Sequence, residues 1–336
     1  MVHMVGSTQV LEQMNRRAIT APYLWLLPPV MGLCLLNGSI ETLSLLLDDS
    51  HRQLIVRVIS ELRLPRVLVA ALVGASLGMA GLLLQTLTRN PLADPGIIGV
   101  NQGAALAVVA GMLILPDLSP HWLPLFGVLG SVTSMALLWL LSRGTAAIAL
   151  ILMGVGLSSL LSALIGCLLI LSETQRLAMV MTWLAGSFAT ANDTVLLTTL
   201  GWSLVLLPAS WLLCQRLGPL MLDPLSSRML GARTGTIEFL CLLMACALGA
   251  VAVAAAGTLG FVGLLAPHIA RRLHPPQPEK LGLPVLGYGA LLAMLADLLG
   301  RSLLAPVQLP AGLMLAILGV PLFILLLLWQ QRIRGA

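Results

Sequence analysis

Asp297 and Arg301 stand four residues apart in an otherwise apolar stretch, AMLADLLGRSLL. On a helix this spacing puts both side chains on one face. An acid inside a membrane marks a functional site by default, so the pattern offers either a proton relay on Asp297 or a structural ion pair. His268 follows Pro267 and precedes Arg271 and Arg272. A lone histidine there reads as a hydrogen-bonder at a membrane boundary, because metal centres need clusters of ligands and no cluster appears. Gly74-x-Ser76-x-Gly78 spells a nucleophile elbow. That elbow requires a strand–turn–helix in a soluble sheet, whereas here Gly74-xxx-Gly78 reads as a helix-packing face. Gly154, Ser158, Ser162 and Gly166 form an i, i+4 row of small residues, which permits close helix packing or lines a conduit. The five cysteines, Cys34, Cys167, Cys214, Cys241 and Cys246, form no CxxC and lie in apolar runs. An odd count without such spacing argues for small buried hydrophobes, not a disulfide framework. A phosphate-binding loop of the Walker type ends in Gly-Lys-Ser/Thr, yet the sole lysine, Lys280, follows Glu279. The chain therefore lacks that ATPase machinery, and an ATP-driven role needs a second protein.

The elements that must position these residues are membrane helices. Of 336 residues, 58% are hydrophobic and 9% charged, against about 25% charged in soluble domains. That excludes a soluble globule, and intrinsic disorder needs the opposite composition. The net charge of +5 comes from dispersed arginines, not from the clustered basic face with aromatics that nucleic acid requires. The apolar runs predict an all-α polytopic protein with spans near 23–46, 66–88, 97–115, 122–142, 146–171, 194–215, 236–256, 258–273, 283–304 and 312–331. The eighth is short and broken by Pro267. The first follows Arg16 and Arg17 but lacks a small-residue cleavage site, so it reads as a retained helix, not a signal peptide.

Ten spans put both termini on one side. With the N-terminus in the cytoplasm, inner segments carry twelve basic residues and outer ones six (Arg52, Arg57, Arg63, Arg66, Arg176 and Arg301). The positive-inside rule therefore predicts cytoplasmic termini. Four outer arginines between 52 and 66 break the trend, and docking an acidic partner would supply a reason. One domain, 1–336, is expected, with a cytoplasmic tail (1–20) and a polar cytoplasmic loop (217–236). That loop reads as a short helix from Pro224 to Leu230, capped by Asp223 and ended by Gly231. The segment 172–193 reads as the main outer loop.

Several stretches resemble the permease subunits of ABC importers for iron–siderophore complexes and vitamin B12, the FecCD/BtuC type. They are Arg63-Leu-Pro-Arg66; the long run from Gln85 to Val100, which includes Asn90, Pro91, Asp94, Pro95 and Gly99; Trp183-Leu-Ala-Gly186-Ser187; and Gly260 to His268. Asp297 with Arg301, Leu309-Pro310 and Gly319-Val320-Pro321 complete the series in family order.

The resemblance implies a type II importer fold of ten helices, and a dimer of two permease copies or of paralogues with the pathway on its axis. It implies two ATPase subunits that hold ATP and magnesium, so that this chain binds no cofactor or metal. A periplasmic or lipid-anchored substrate-binding protein would dock on Arg63, Arg66 and Arg301. The loop around Asp223, Arg228, Leu230 and Gly231 would couple to the ATPase, and the row from Gly154 to Gly166 would face the pathway. Two departures stand out: His274-Pro275-Pro276 replaces the family's Gly-x-Asp-His-Arg, and Gln308 stands where the family usually has Glu. The expected role is a non-enzymatic permease that moves a ferric siderophore across the bacterial inner membrane. Cobalamin or haem as cargo, and an ion-coupled secondary transporter as a different class, are the alternatives. An intramembrane enzyme would need convergent His, Asp or Ser groups that the sequence does not assemble.

Overall fold

A computed structural model describes residues 22–37, 52–96, 99–115, 119–141, 147–172, 174–221, 229 and 234–334. Among these residues the structure is helical, without strands. In chain order the helices are α1 (Pro22–Leu36), α2 (Leu64–Leu87), α3 (Val100–Ile114), α4 (Leu123–Leu141), α5 (Ala147–Ile170) and α6 (Thr174–Leu184). They continue with α7 (Asp193–Cys214), α8 (Thr234–Ala256), α9 (Val262–Leu273), α10 (Pro278–Ser302) and α11 (Ala311–Arg334). All but α6 coincide with the ten expected spans. Six of the apolar stretches, those of α2, α4, α5, α7, α8 and α10, are long and apolar enough to cross a membrane. The helix α6 lies inside the segment expected to be an outer loop. A second addition is Arg52–Arg57 and a π-helical stretch, Val58–Arg63, which run without a break into α2.

The core is built on α2. Every residue from Val73 to Thr86 is buried, as expected of a helix that is apolar on all sides. Along one side α10 approaches so closely that a Cβ on Gly74 would collide with the carbonyl oxygen of Gly289. The Gly74-xxx-Gly78 face is thus a packing face, as in other membrane helices, with Gly78 against Val285 and Ala266. On another side lies α8, buried without interruption from Ala245 to Val253. By contrast α4, α5 and α7 turn large side chains outward, such as Leu129, Leu152 and Leu204 at 59–71% exposure. Such a rim would drive aggregation in water but suits hydrocarbon. Four of the cysteines are buried as expected; Cys167 is exposed, because it sits on the open face of α5.

Candidate functional site

Two polar clusters close the ends of this apolar bundle, and the Arg63–Arg66, Asp297–Arg301, Gln85–Val100 and Gly260–His268 signatures end in them. At the first, α1 terminates against three arginines. Arg63 Nη1 donates to the carbonyl oxygens of Leu35 (2.7 Å) and Leu36 (3.0 Å). Arg301 donates to those of Cys34 (3.2 Å) and Asn37 (3.4 Å). These are the carbonyls a helix C-terminus leaves without partners, where cations are favoured. Arg66 grips Asp297 with Nε at 3.0 and 3.1 Å and Nη2 at 2.7 Å, and gives Nη1 to Gln308 Oε1 at 3.0 Å. Arg301 Nε lies 3.1 Å from the other carboxylate oxygen. Asp297 is thus the hub of the cluster, buried between two guanidinium groups, and the i, i+4 pair is real but is the minor half of its pairing.

Three guanidinium charges against one carboxylate leave these four groups at +2. The arginines expected to receive a docking protein are turned inward: Arg63 is 6% and Arg301 3% exposed, both held by main-chain carbonyls. Arg66 is the member at the rim, through its contact with the exposed Gln308.

At the opposite end, the signature from Gln85 to Val100 folds onto the signature from Gly260 to His268. The reason lies in Pro267. Proline has no N–H, so the carbonyl four residues back, Gly263 O, loses its helical donor. Gln85 Nε2 replaces that donor at 3.1 Å. The contact is possible because Gly81 meets Gly263 with no side chain between them; a Cβ on Gly81 would collide with Gly263 O. Gln85 Oε1 in turn accepts from Arg271 Nη1. Asp94 completes the join. Its carboxylate accepts from Gly96 N (2.7 Å) and from the backbone N–H of Leu264 in the first turn of α9, where orphan donors favour an anion. Burial pushes the Asp94 carboxyl up to about 6, against the two backbone hydrogen bonds that lower it.

The other motif residues shape the connection from α2 to α3. Asn90 Oδ1 accepts from Leu92 N at 2.9 Å, and Pro95 O accepts from Asn101 N at 3.4 Å. Gly99, at φ +88°, starts α3, and its carbonyl receives Ser134 Oγ at 2.9 Å. Pro91, with Arg89 and Arg271, lines a cavity of about 330 Å³ that opens at this end. Arg89 Nε donates to Leu220 O at 3.2 Å and so ties the end of α2 to the first turn of the polar loop, Gly218–Met221. Asp223, Arg228, Leu230 and Gly231, expected to couple to an ATPase, lie outside the described residues. His268 was expected to be a hydrogen-bonder at the boundary. It is buried, and its Nε2 has no hydrogen-bond partner among the described residues.

The small-residue row on α5 passes from the bundle into the open. Gly154 is buried and Ser158 half-buried beside Gly99, whereas Ser162 is exposed and nothing lies within 4 Å of where a Cβ on Gly166 would stand. Sequence reasoning missed Gln85, Arg271 and the Arg66–Asp297 pair. For Gln85 a signal existed, since Pro267 inside an apolar helix demands a substitute donor. Among the described residues no three His, Cys, Asp or Glu side chains gather to hold a metal.

Comparison with known proteins identifies the family. The FecCD transport family matches residues 26–329. The achromobactin transport system permease protein CbrC of Dickeya dadantii (strain 3937) is 39% identical over 82% of this chain and 80% of its own. The Fe(3+) dicitrate transport system permease protein FecD of Escherichia coli (strain K12) is 38% identical over 80% and 85%. A solved structure described as an inward-facing conformation of a metal-chelate type ABC transporter superposes with a TM-score of 0.80. It is 32% identical over 93% of this chain and 99% of that one.

Proposed function

The chain belongs to the FecCD transport family and is a membrane permease of an ABC transporter, and from that premise we propose that its cargo is a ferric siderophore. The observation that carries this reading is the family match across nearly the whole chain, together with relatives named for achromobactin and ferric dicitrate transport. The chain makes and breaks no covalent bond; ATP and magnesium are held by separate ATPase subunits. The Asp297 end faces outward and the Gln85 end, with Arg89, Arg216, Arg271, Arg272 and Lys280, faces the cytoplasm. This follows the bias of basic residues and puts both termini inside.

In this assignment a substrate-binding protein lands on the +2 end. Its acidic groups are drawn by the field of the cluster and meet Arg66 at the rim, while Arg63 and Arg301 hold α1 in place behind it. Nucleotide-driven movement enters at the other end, through 217–236. Arg89 carries it from Leu220 to α2, and Gln85 and Asp94 carry it from α2 to α9. The open face of α5, with Ser162 and Gly166, is where a second permease copy or paralogue completes the pathway. The chemistry needed is positional: two rigid helix pairs joined by buried hydrogen bonds transmit a tilt without breaking polar contacts.

Uptake of radiolabelled iron loaded on a panel of siderophores, in cells and in vesicles energised with ATP, tests the proposal. Uptake should stop when the partner ATPase is inactivated and survive collapse of the ion gradients. Uptake that follows the gradients and ignores the ATPase would overturn it, and uptake of cobalamin or haem in place of every iron chelate would overturn the cargo.

A further inference from the structure

On the flank of the bundle, between α2, α4 and α8, a cavity of about 590 Å³ opens where Trp139 and Phe239 are exposed. Its floor is apolar, formed by Leu87, Met135, Leu242, Leu243 and Cys246. Along α8 it runs from Gly235 to Cys246, about 16 Å at a rise of about 1.5 Å per residue. The hydrocarbon core of a bilayer is about 30 Å thick, so the groove has the length of one leaflet. It begins at the Gln85 end of the bundle, since Leu87 and Gly235 are end residues of their helices. The lining contains one charged residue, Glu238, exposed and one turn in from the start of α8.

We propose that this groove holds one acyl chain of a phospholipid from the cytoplasmic leaflet, and that Glu238 at its mouth selects a headgroup bearing an ammonium, as in phosphatidylethanolamine. Length and polarity specify the chain. The carboxylate specifies the headgroup, because it attracts an ammonium and repels a headgroup whose only charge is phosphate. Trp139, which also lines the groove, is the residue type that membrane proteins concentrate at the headgroup level. The inference rests on the chain crossing a membrane with the Gln85 end inside, and it does not depend on the cargo.

The test is reconstitution of the full-length protein into vesicles of equal phosphatidylethanolamine and phosphatidylglycerol, followed by gentle extraction and native mass spectrometry. The wild type should retain one lipid per chain and favour the ethanolamine lipid about two- to fivefold, the range for one partly exposed ion contact. Glu238→Gln should keep the lipid and lose the preference, and Leu242→Trp, which fills the groove, should lose the lipid. A second readout avoids any folding defect of the filled variant: phosphatidylethanolamine with brominated acyl chains should quench Trp139 in both wild type and Glu238→Gln, measured against Trp139→Phe. An unloaded wild type, as would result if residues 222–233 or another protein filled the groove, would overturn the proposal. So would equal retention of the two lipids by the wild type, a preference that survives in Glu238→Gln, or lipid retained by a folded Leu242→Trp. None of these readings involves iron uptake, so their failure is separable from that of the transport assignment.

Discussion

Arg66 and Asp297, 231 positions apart in the chain, form a three-contact pair between the first turn of α2 and the last turns of α10. The pair is almost closed to solvent, with side-chain exposures of 12% and 3%, and Arg301 shares the same carboxylate. A membrane acid with two cationic partners is neutralised in place. The arrangement therefore fits a clasp between two core helices.

Removing the carboxylate should be costly. Asp297→Asn leaves two buried guanidinium groups facing each other, and breaking a buried pair from one side costs about 3–5 kcal/mol. Thermal unfolding in detergent should show the loss. The Asp297→Asn, Arg66→Gln double variant should lose less than the sum of the singles, by about 1–3 kcal/mol. Strict additivity would mean that the contact contributes nothing to stability.

Gln308 leaves the Asp297 cluster at +2 because its amide accepts from Arg66 without adding charge. Gln308→Glu would lower the excess by one. If the cluster steers a binding protein, association with the reconstituted permease should slow several-fold at low salt and converge with wild type at high salt, since rim charges act on encounter rates. Unchanged association at low salt would remove the cluster from docking.

The helices were legible in the sequence because burial in lipid demands long apolar runs, and ten of the eleven follow those runs. The pairing of Asp297 with Arg301 was legible because helical periodicity is local. Its stronger partner, Arg66, was not, since no periodic signal reaches across 231 positions. The same holds for Gln85 and Gly263, 178 positions apart, although Pro267 announced a carbonyl in need of a donor. α6 was hidden for another reason: its segment carries enough polar residues, Thr174, Gln175 and Arg176 among them, to read as loop.

Asp94 gives the inner join a pH dependence. Its carboxyl is raised by burial from an ordinary value near 4 to about 6, so between those values the folded protein binds more protons than the unfolded chain. Stability contributed by this group is therefore fully present below about pH 4 and falls as pH rises towards 6. Hydrogen exchange at Gly96 and Leu264 should accelerate across that window beyond the intrinsic base-catalysed rise. In Asp94→Asn, which cannot ionise, the excess should vanish. An excess that persists in the variant would assign it to another group.

Gly81 and Gly263 separate a packing requirement from helix propensity. Gly81→Ala puts a methyl group into the Gly263 carbonyl, with backbone on both sides and no flexible side chain to give way. Overpacking of this kind costs about 1–3 kcal/mol or more, and it should also push Gln85 off its acceptor. Gly201→Ala on α7 is the matched control, because nothing lies within 4 Å of its added methyl and alanine favours helix by roughly 0.5–1 kcal/mol. The two substitutions should move the melting temperature in opposite directions.

Gln85 and Pro267 give the sharpest test, because each explains the other. Gln85→Leu strips Gly263 O of its donor and Arg271 of its acceptor, and a buried unsatisfied polar group costs about 1–3 kcal/mol. Pro267→Ala restores an N–H at the position that normally serves Gly263 O, so in that background the carbonyl no longer depends on Gln85. The penalty of Gln85→Leu should then shrink by about 1 kcal/mol, leaving only the loss to Arg271. A double-mutant cycle on thermal stability reads this directly, and ATP-driven uptake by the same four proteins tells whether the join also transmits movement. Equal penalties in both backgrounds would mean that Gln85 does not stand in for the proline's missing donor.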